Sequence, residues 1–553
     1  MTRFTPSCSP VTRRTPMSTS LEATTPPEPA DLSGRLDGAS KLRIFTVLAV
    51  IVLFTEVAPM QFVMVSAALR QIAPAFPDQG ANINWAIIIF GVIGAAASPL
   101  IGKMSDIWGK KRMFLLCGVL FLIGCAICAI TSDWILFLLG RGLQATAIAT
   151  AIISYGLIRD LMPRKYVPIG LGVASTGLGV SAVAGPLIGG YIVDHHSWRA
   201  IFWFLFVFTL IMIPLVALIV PESRLRTPQR LDIAGSVLLA AGATLTLIYL
   251  DKGQDWGWAK PSTLAWLIVG LLLLVAFPIV ETRVRQPIMD MKLLFHPRVS
   301  VVLFIGLLAS FMIGYQGYAV GYMTQSPPAS EVTAGVVQGT LAQIQAQTGQ
   351  SLPAQAVQVV LDPGYSYGDN LTLLGFGVNV ALAQAVLGMI AGLAAGFWIR
   401  RSGGRLPLIA ALAVMVVTAV AYAVTEHSWG VIAVISAVYG LAFGMYYAST
   451  PNLIVEGVPA EQQGISAGML GVMHSMGAAV GIAVATAFLN ANPVRAEVSV
   501  AGNHVATKEI PLLFADRGYE LGFYFVAVSA AVALAGALWM KHGRTAATGG
   551  TAF

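Results

Sequence analysis

Apolar residues run along this chain in blocks of roughly 18 to 28, divided by short polar connections rich in glycine. At 1.5 Å of rise per residue, a helical block of that length crosses the hydrocarbon core of a bilayer. Fourteen such blocks can be read, and each predicts a spanning helix. The first six cover 44–69, 83–102, 113–131, 134–158, 168–193 and 199–220. Two follow at 232–250 and 263–280, and six more cover 299–322, 371–398, 406–424, 429–450, 464–490 and 519–540. The pattern predicts an all-α polytopic membrane protein with 14 transmembrane helices arranged 6+2+6. Its parts are a six-helix bundle at 44–220, two additional helices with linkers at 221–298, and a second six-helix bundle at 299–540.

Composition agrees with a lipid solvent. Of 553 residues, 56% are hydrophobic and 11% charged, whereas soluble domains carry about 25% charged residues. Lys and Arg in the connections set the direction of threading. With the long tail left out, one set of alternate connections carries 19 and the other 7, which places both termini in the cytoplasm of a cell with the protein in its inner membrane. The net charge of +7 then belongs to cytoplasmic loops and argues for no nucleic-acid partner. Residues 1–40 are polar, rich in Pro, Ser and Thr, and lack the apolar region of a cleavable signal, which predicts a disordered cytoplasmic tail. A second cytoplasmic tail is expected at 541–553.

Several classes fall away. There is no Gly-x-x-x-x-Gly-Lys-Ser/Thr phosphate loop, so an ATP-driven pump is disfavoured. No cluster of catalytic type is evident among the intramembrane titratable groups, which disfavours a membrane enzyme. Cys125 and Cys128 have the spacing of a redox or metal pair, but nothing completes a ligand set, and they are read as small packing residues with no metal.

The most informative connection runs from Gly102 to Arg112, with Gly102, Asp106, Gly109 and Arg112 between two spans. Gly396 and Gly403 repeat its glycine spacing between the second and third helices of the other six-helix block. Two related halves around a midplane site are the plan of many secondary transporters. The connection at 323–370 holds no Lys or Arg and an amphipathic segment near Val332 to Gln347. It is expected to decorate the outer face, the alternative being a flap over a pore.

These residues resemble the major facilitator superfamily, and within it the fourteen-helix drug:proton antiporters. The loop from Gly102 matches the superfamily's motif between helices 2 and 3. Arg141-Gly-Leu-Gln144 matches an Arg-x-x-Gln motif in helix 4, with Ala145 in place of the usual glycine. Gly172, Ser181, Gly185, Pro186, Gly189 and Gly190 match the helix 5 antiporter motif, in which Ser181 would be a glycine. Trp198-Arg199-Ala-Ile-Phe202 and the turn from Asp251 to Trp258 resemble the fourteen-helix branch. The resemblance implies a major facilitator fold and proton-coupled efflux of drugs or other amphipathic small molecules, with the proton as coupling ion and no organic cofactor. A dedicated exporter of an endogenous lipid, peptide or siderophore, or an importer, is the alternative. An accessory periplasmic protein stays open as a partner. The resemblance also gives Asp106 a role as a cytoplasmic latch, with Arg112 as its partner. The branch usually has an Asp at the position aligned with Gln61, while this chain has Glu56 about one and a half turns earlier.

Glu56 lies 12 residues beyond Ile44 and so roughly 18 Å into the bilayer. An ionised carboxylate there costs about 2.5 to 3.5 kcal/mol, so a proton or a cation should neutralise it. Arg141 is expected at a similar depth and is the candidate cation, forming with Glu56 a pair that opens on protonation. His474 is a second candidate for proton coupling, although a lone histidine on such a helix is more often a packing residue. Gln61, Gln144, Tyr315, Gln316, Asn379 and Gln384 are the candidates for lining a substrate cavity among Phe, Met and Trp side chains. Gly185-Pro186 is expected to interrupt helix 5.

Overall fold

The structure, a computed structural model, describes residues 36–163, 166–223, 232–284, 287, 291–349, 352–458, 463–500 and 503–545. Cys8, most of the N-terminal tail and the last eight residues, 546–553, lie outside these. Among the described residues 12 helices are long and apolar enough to cross a membrane, or 13 when the bent pair Asn82–Ser98 and Leu100–Trp108 counts as one. Val167–His195 is a further helix of 29 residues where the fifth span is expected. The set is compatible with fourteen spans in two six-helix halves. The seventh helix, Ile233–Trp256, packs on the eighth, Pro261–Glu281, and lies against the second and thirteenth spans, beside the seam between the halves. Leu36 to Ser40, read as part of a free tail, is packed: Leu36 is buried and its N–H donates to the Leu161 carbonyl, while Ser40 caps the first helix.

Water is absent from the bilayer core, so helices there associate by close packing rather than by apolar burial, and small residues mark the contacts. The tenth span, Leu382–Ser402 in its long part, and the twelfth, Trp429–Glu456, form the tightest pair. A Cβ on Gly440 would strike the Gln384 carbonyl, and one on Gly444 the Gly388 carbonyl. The ninth span, Pro297–Gln325, meets the thirteenth, Gln463–Asn490, in the same way, with Gly477 against the Leu307 carbonyl and Gly481 against that of Phe311. At each contact the missing side chain lets one backbone touch another.

Two spans are irregular at places that matter below. The first breaks between Lys41–Thr55 and Val57–Ala67, with Glu56 at the break. Pro59 has no N–H for the Thr55 carbonyl, which explains the loosened turn. The tenth begins with Leu373–Phe376 and a π-turn at Gly377–Ala381 before its regular part.

At the end opposite the basic loops, hydrogen bonds tie the halves together. Gln71 donates to Gln325 (2.9 Å), Gln325 to the Ala67 carbonyl (3.1 Å), and Asn84 to Thr486 (2.6 Å). Above this seam stands a feature that the apolar pattern does not predict. Strand β1, Val357–Asp362, comes from the long outer connection, and β2, Pro493–Val500, with β3, Asn503–Phe514, from the connection after the thirteenth span. They form one antiparallel sheet in the order β1-β2-β3, and the helix Ala329–Thr348 packs on β1. The all-α expectation is therefore corrected outside the membrane, where alternation over a few residues is hard to see beside blocks of twenty.

Replacing Gly444 by Leu is expected to abolish the folded, monodisperse protein in fluorescence-detected size exclusion. Gly396, whose Cβ would meet nothing within 4 Å, should accept Leu without loss. Equal profiles for the two variants would refute the backbone-contact argument.

Candidate substrate and proton site

Glu56 and Arg141 are both buried in the first half, and they do not face each other. Glu56 is 9% exposed and accepts a hydrogen bond from Ser181 Oγ on the fifth span at 2.5 Å. Arg141 is fully buried, and its Nη1 donates to Gln61 and Gln144 at 2.5 Å each, while Nε donates to the Ala86 carbonyl at 2.7 Å. Its guanidinium lies 5.2 Å from the centre of the Phe90 ring. The expected Glu56–Arg141 pair is therefore not made in this structure. Five residues separate Glu56 from Gln61, and on a helix that is about 140° of rotation, so a first span that offers Gln61 to Arg141 turns Glu56 toward the fifth span. Ser181, noticed in the sequence only as a departure from glycine, supplies the partner.

The charges are consequently met by neutral groups. Among the described residues Arg141 Nη2 has no hydrogen-bond partner, and the amides opposite it carry no charge. Gln144 is held in turn by donating to Cys125 Sγ at 3.3 Å, and Cys125 and Cys128 are buried thiols in the wall behind it.

Of the remaining cavity candidates, Gln316 reaches Gln384 at 3.0 Å and Tyr422 at 3.4 Å, and Tyr422 is linked to Ser436 at 2.7 Å. This chain of neutral polar groups lies in the second half. Tyr315 is set apart from it, because its hydroxyl donates to the Tyr519 carbonyl at 2.8 Å and its ring lies over Gly522, a packing role. Asn379 sits exposed in the π-turn of the tenth span. His474 is half-buried beside the rings of Tyr446 and Tyr447, with Nε2 unbonded among the described residues.

The fifth-span glycines pack on the first span and, at Gly190, on the other half. Gly185 packs on Val63 and Gly189 on Met64 of the first span, while a Cβ on Gly190 would lie 2.6 Å from the Leu374 Cα of the tenth. Gly377, at the start of the π-turn, faces Pro186, and Asp194 accepts from the Leu374 N–H at 3.1 Å. Gly172 lies nearer the start of the same helix. The helix runs unbroken through Pro186, which corrects the expected interruption. The bend that lets this seam close is in the partner helix.

At the basic end Asp106 pairs with Lys110 at 2.9 Å rather than with Arg112. Arg112 stands two residues, or about 200°, round the helix from Lys110 and faces outward. Lys110 also pairs with the buried Asp160 at 2.9 Å, and Ser223 donates to Asp160 at 2.7 Å. Gly109 has φ of 113°, the region that favours glycine, and Glu222 curls against it to accept from the Lys111 N–H. Gly102 packs on Ile152. Asp160 follows Arg159 at the basic-loop end of the fourth block, and a carboxylate there was a legible sign of a partner for the loop lysines.

At the opposite end Arg70 lies among Tyr322, Tyr365, Tyr367 and Tyr519. Burial pushes the Tyr365 hydroxyl up to about 12, against the pull of Arg70, so this tyrosine is neutral at physiological pH.

The sequence profile of the Major Facilitator Superfamily matches residues 49–342, and that of the sugar (and other) transporters matches 302–539. The uncharacterized MFS-type transporter YvkA of Bacillus subtilis is 32% identical over 42% of this chain, and that match spans about half, 52%, of the relative's length. The tetracenomycin C resistance and export protein of Streptomyces glaucescens is 26% identical over 73% of this chain and 68% of its own length. Among solved structures, a peptide transporter POT in complex with sulfate superposes with a TM-score of 0.55 at 13% identity, over 89% of this chain and 93% of that one. This last likeness concerns the fold.

Lys110→Met should lower stability by about 3–5 kcal/mol, because it removes the close, buried cation of Asp160 and leaves only the exposed Arg159 at 3.8 Å. Asp106→Asn should lower it by less, since Asp106 is 39% exposed. Thermal unfolding of the purified variants gives the order, and a larger loss for Asp106→Asn would refute the assignment of Lys110 as the centre of this cluster.

Proposed function

Because the chain belongs to the Major Facilitator Superfamily, whose members are membrane transporters and not enzymes, we propose that it is a proton-coupled exporter of amphipathic small molecules. It works in the inner membrane with both termini in the cytoplasm. The observation that carries this reading is Glu56, a carboxylate buried in the first span beside a hydroxyl and not beside a cation. Such a group is stable in lipid when it holds a proton and costly when it does not. A site that binds a proton from one side and releases it to the other, while the cavity changes access, couples flux to the proton gradient.

Arg141 serves as a fixed cation next to the path rather than as the partner of Glu56. Its planar fork holds Gln61 and Gln144, and its unfilled Nη2 can take a substrate oxygen. The Gln316–Gln384–Tyr422 chain offers uncharged hydrogen bonds on the opposite side. Cations at Arg70 and Arg141 with neutral neighbours favour substrates that are neutral or acidic. The export direction is supported by the tetracenomycin C relative and by the packing of Gly185 to Gly190 at the seam. Asp106, Lys110 and Asp160 stiffen the inner end of the first half and contribute to holding that side when it closes.

In proteoliposomes with an imposed pH gradient, Glu56→Gln is expected to lower gradient-driven substrate accumulation at least about tenfold while leaving substrate-for-substrate exchange intact. Wild-type accumulation in the variant would rule out Glu56 as the proton carrier. Arg141→Lys keeps the charge but loses the fork, and should reduce exchange and accumulation together.

A further inference from the structure

A cavity of about 1180 Å³ opens in the second half, away from Glu56 and Arg141, at the end that carries the basic loops. It exceeds the roughly 300–1,000 Å³ of sites for drug-sized ligands. One wall is the start of the ninth span, with Phe304 and Leu307, and the other is the end of the fourteenth, with Val532, Gly536 and Trp539. Phe304 is 51% and Trp539 88% exposed, so this side of the groove is apolar and open to lipid. Leu453, buried, and Met473, half-buried, line its inner side.

The mouth has the opposite chemistry. Arg298, Lys541, His542 and Arg544 line it, with Glu456 as the one carboxylate among the lining residues. The segment that brings Lys541 and Arg544 there is fixed in place. His542 Nε2 bonds the Leu453 carbonyl at 2.8 Å, the Arg405 N–H donates to the Gly543 carbonyl at 3.1 Å, and the Arg405 guanidinium caps the carbonyls of Ala537 and Leu538. Neither Lys541 nor Arg544 has an ion-pair partner among the described residues, and both side chains are exposed. Gly536 keeps the groove open, because its Cβ would meet only Ile305, at 3.5 Å.

The geometry points to a binding site for an anionic glycerophospholipid, with its phosphate between Lys541 and Arg544 and an acyl chain laid between the ninth and fourteenth spans. Basic pockets between spanning helices at the cytoplasmic face bind anionic head groups, and an aromatic ring at the interface level, here Trp539, favours the same depth. A soluble anion would use the rim but would leave the apolar walls unfilled. A neutral lipid would use the walls but would leave the cations unmatched. The inference does not rest on the proton or substrate reading. Only the assignment to the inner leaflet depends on the proposed orientation.

The test uses the full chain in nanodiscs of phosphatidylcholine with one fifth phosphatidylglycerol, from which bound lipid is counted by native mass spectrometry. The wild type should retain phosphatidylglycerol in preference to phosphatidylcholine, and the double variant Lys541→Gln/Arg544→Gln should retain at least about fivefold less of it. The variant Arg400→Gln/Arg401→Gln removes two exposed cations at the same end but outside the groove, and should retain as much as the wild type. Gly536→Leu fills the groove and should also lose the lipid. If that variant is not monodisperse, the surface variants decide alone. Equal retention by the Lys541/Arg544 variant and the wild type would overturn the proposal, as would equal losses in both double variants. Displacement of the lipid by millimolar inorganic phosphate, with Gly536→Leu unaffected, would also overturn it in favour of a free-anion site.

Discussion

A hydrocarbon solvent gives helices no reason to stick together except contact, and this constraint governs the whole molecule. Each backbone N–H and carbonyl within the membrane must be satisfied inside its own helix. The helices then hold one another through surfaces close enough for dispersion to count. Gly440 and Gly444 against Gln384 and Gly388, and Gly477 and Gly481 against Leu307 and Phe311, are where the second half is knitted. Gly190 of the fifth span does the same job across the seam between halves. There the close approach of Gly190 to Leu374 and of Gly377 to Pro186 coincides with the π-turn of the tenth span. A seam built from backbone contacts and a few amide hydrogen bonds is strong only in one register.

The same solvent explains how the buried charges are arranged. Glu56 is met by a hydroxyl and Arg141 by two side-chain amides. A direct salt bridge would have been the more stable neutralisation, and it would also have locked the first span to the fourth. With neutral partners each charge is held in position yet remains free to change its state or its contact. At the basic end, where water reaches the loops, full pairing does occur: Lys110 takes Asp106 and Asp160 together, and the turn at Gly109 is fixed by Glu222. Flexible chemistry inside and rigid pairing at the rim divide the labour.

Outside the membrane, the sheet of β1, β2 and β3 draws the two long outer connections of the second half into one body. Tyr367 donates to the Phe514 carbonyl at 2.6 Å and stacks edge-on against Tyr519, and Ser366 bonds Asp516. These contacts clamp the returning segment over the ninth and fourteenth spans, next to Arg70 of the first half.

The chain's own pattern determined the solvent, the many apolar spans and the glycine-rich loop and helix motifs, because lipid thickness and backbone satisfaction act on runs of about twenty residues that local reading detects. It also singled out Glu56, Arg141 and Ser181 individually. Only the tertiary structure decided who meets whom. The rotation of the first span about its axis sends Gln61 to Arg141 and Glu56 to Ser181, and a sequence shows which residues share a helix but not the angle at which that helix faces its neighbours. For the same reason the Lys110–Asp160 pair, the sheet built from connections more than 130 residues apart and the basic groove at the end of the fourteenth span came from packing. Each depends on residues distant along the chain that a shared periodicity does not connect.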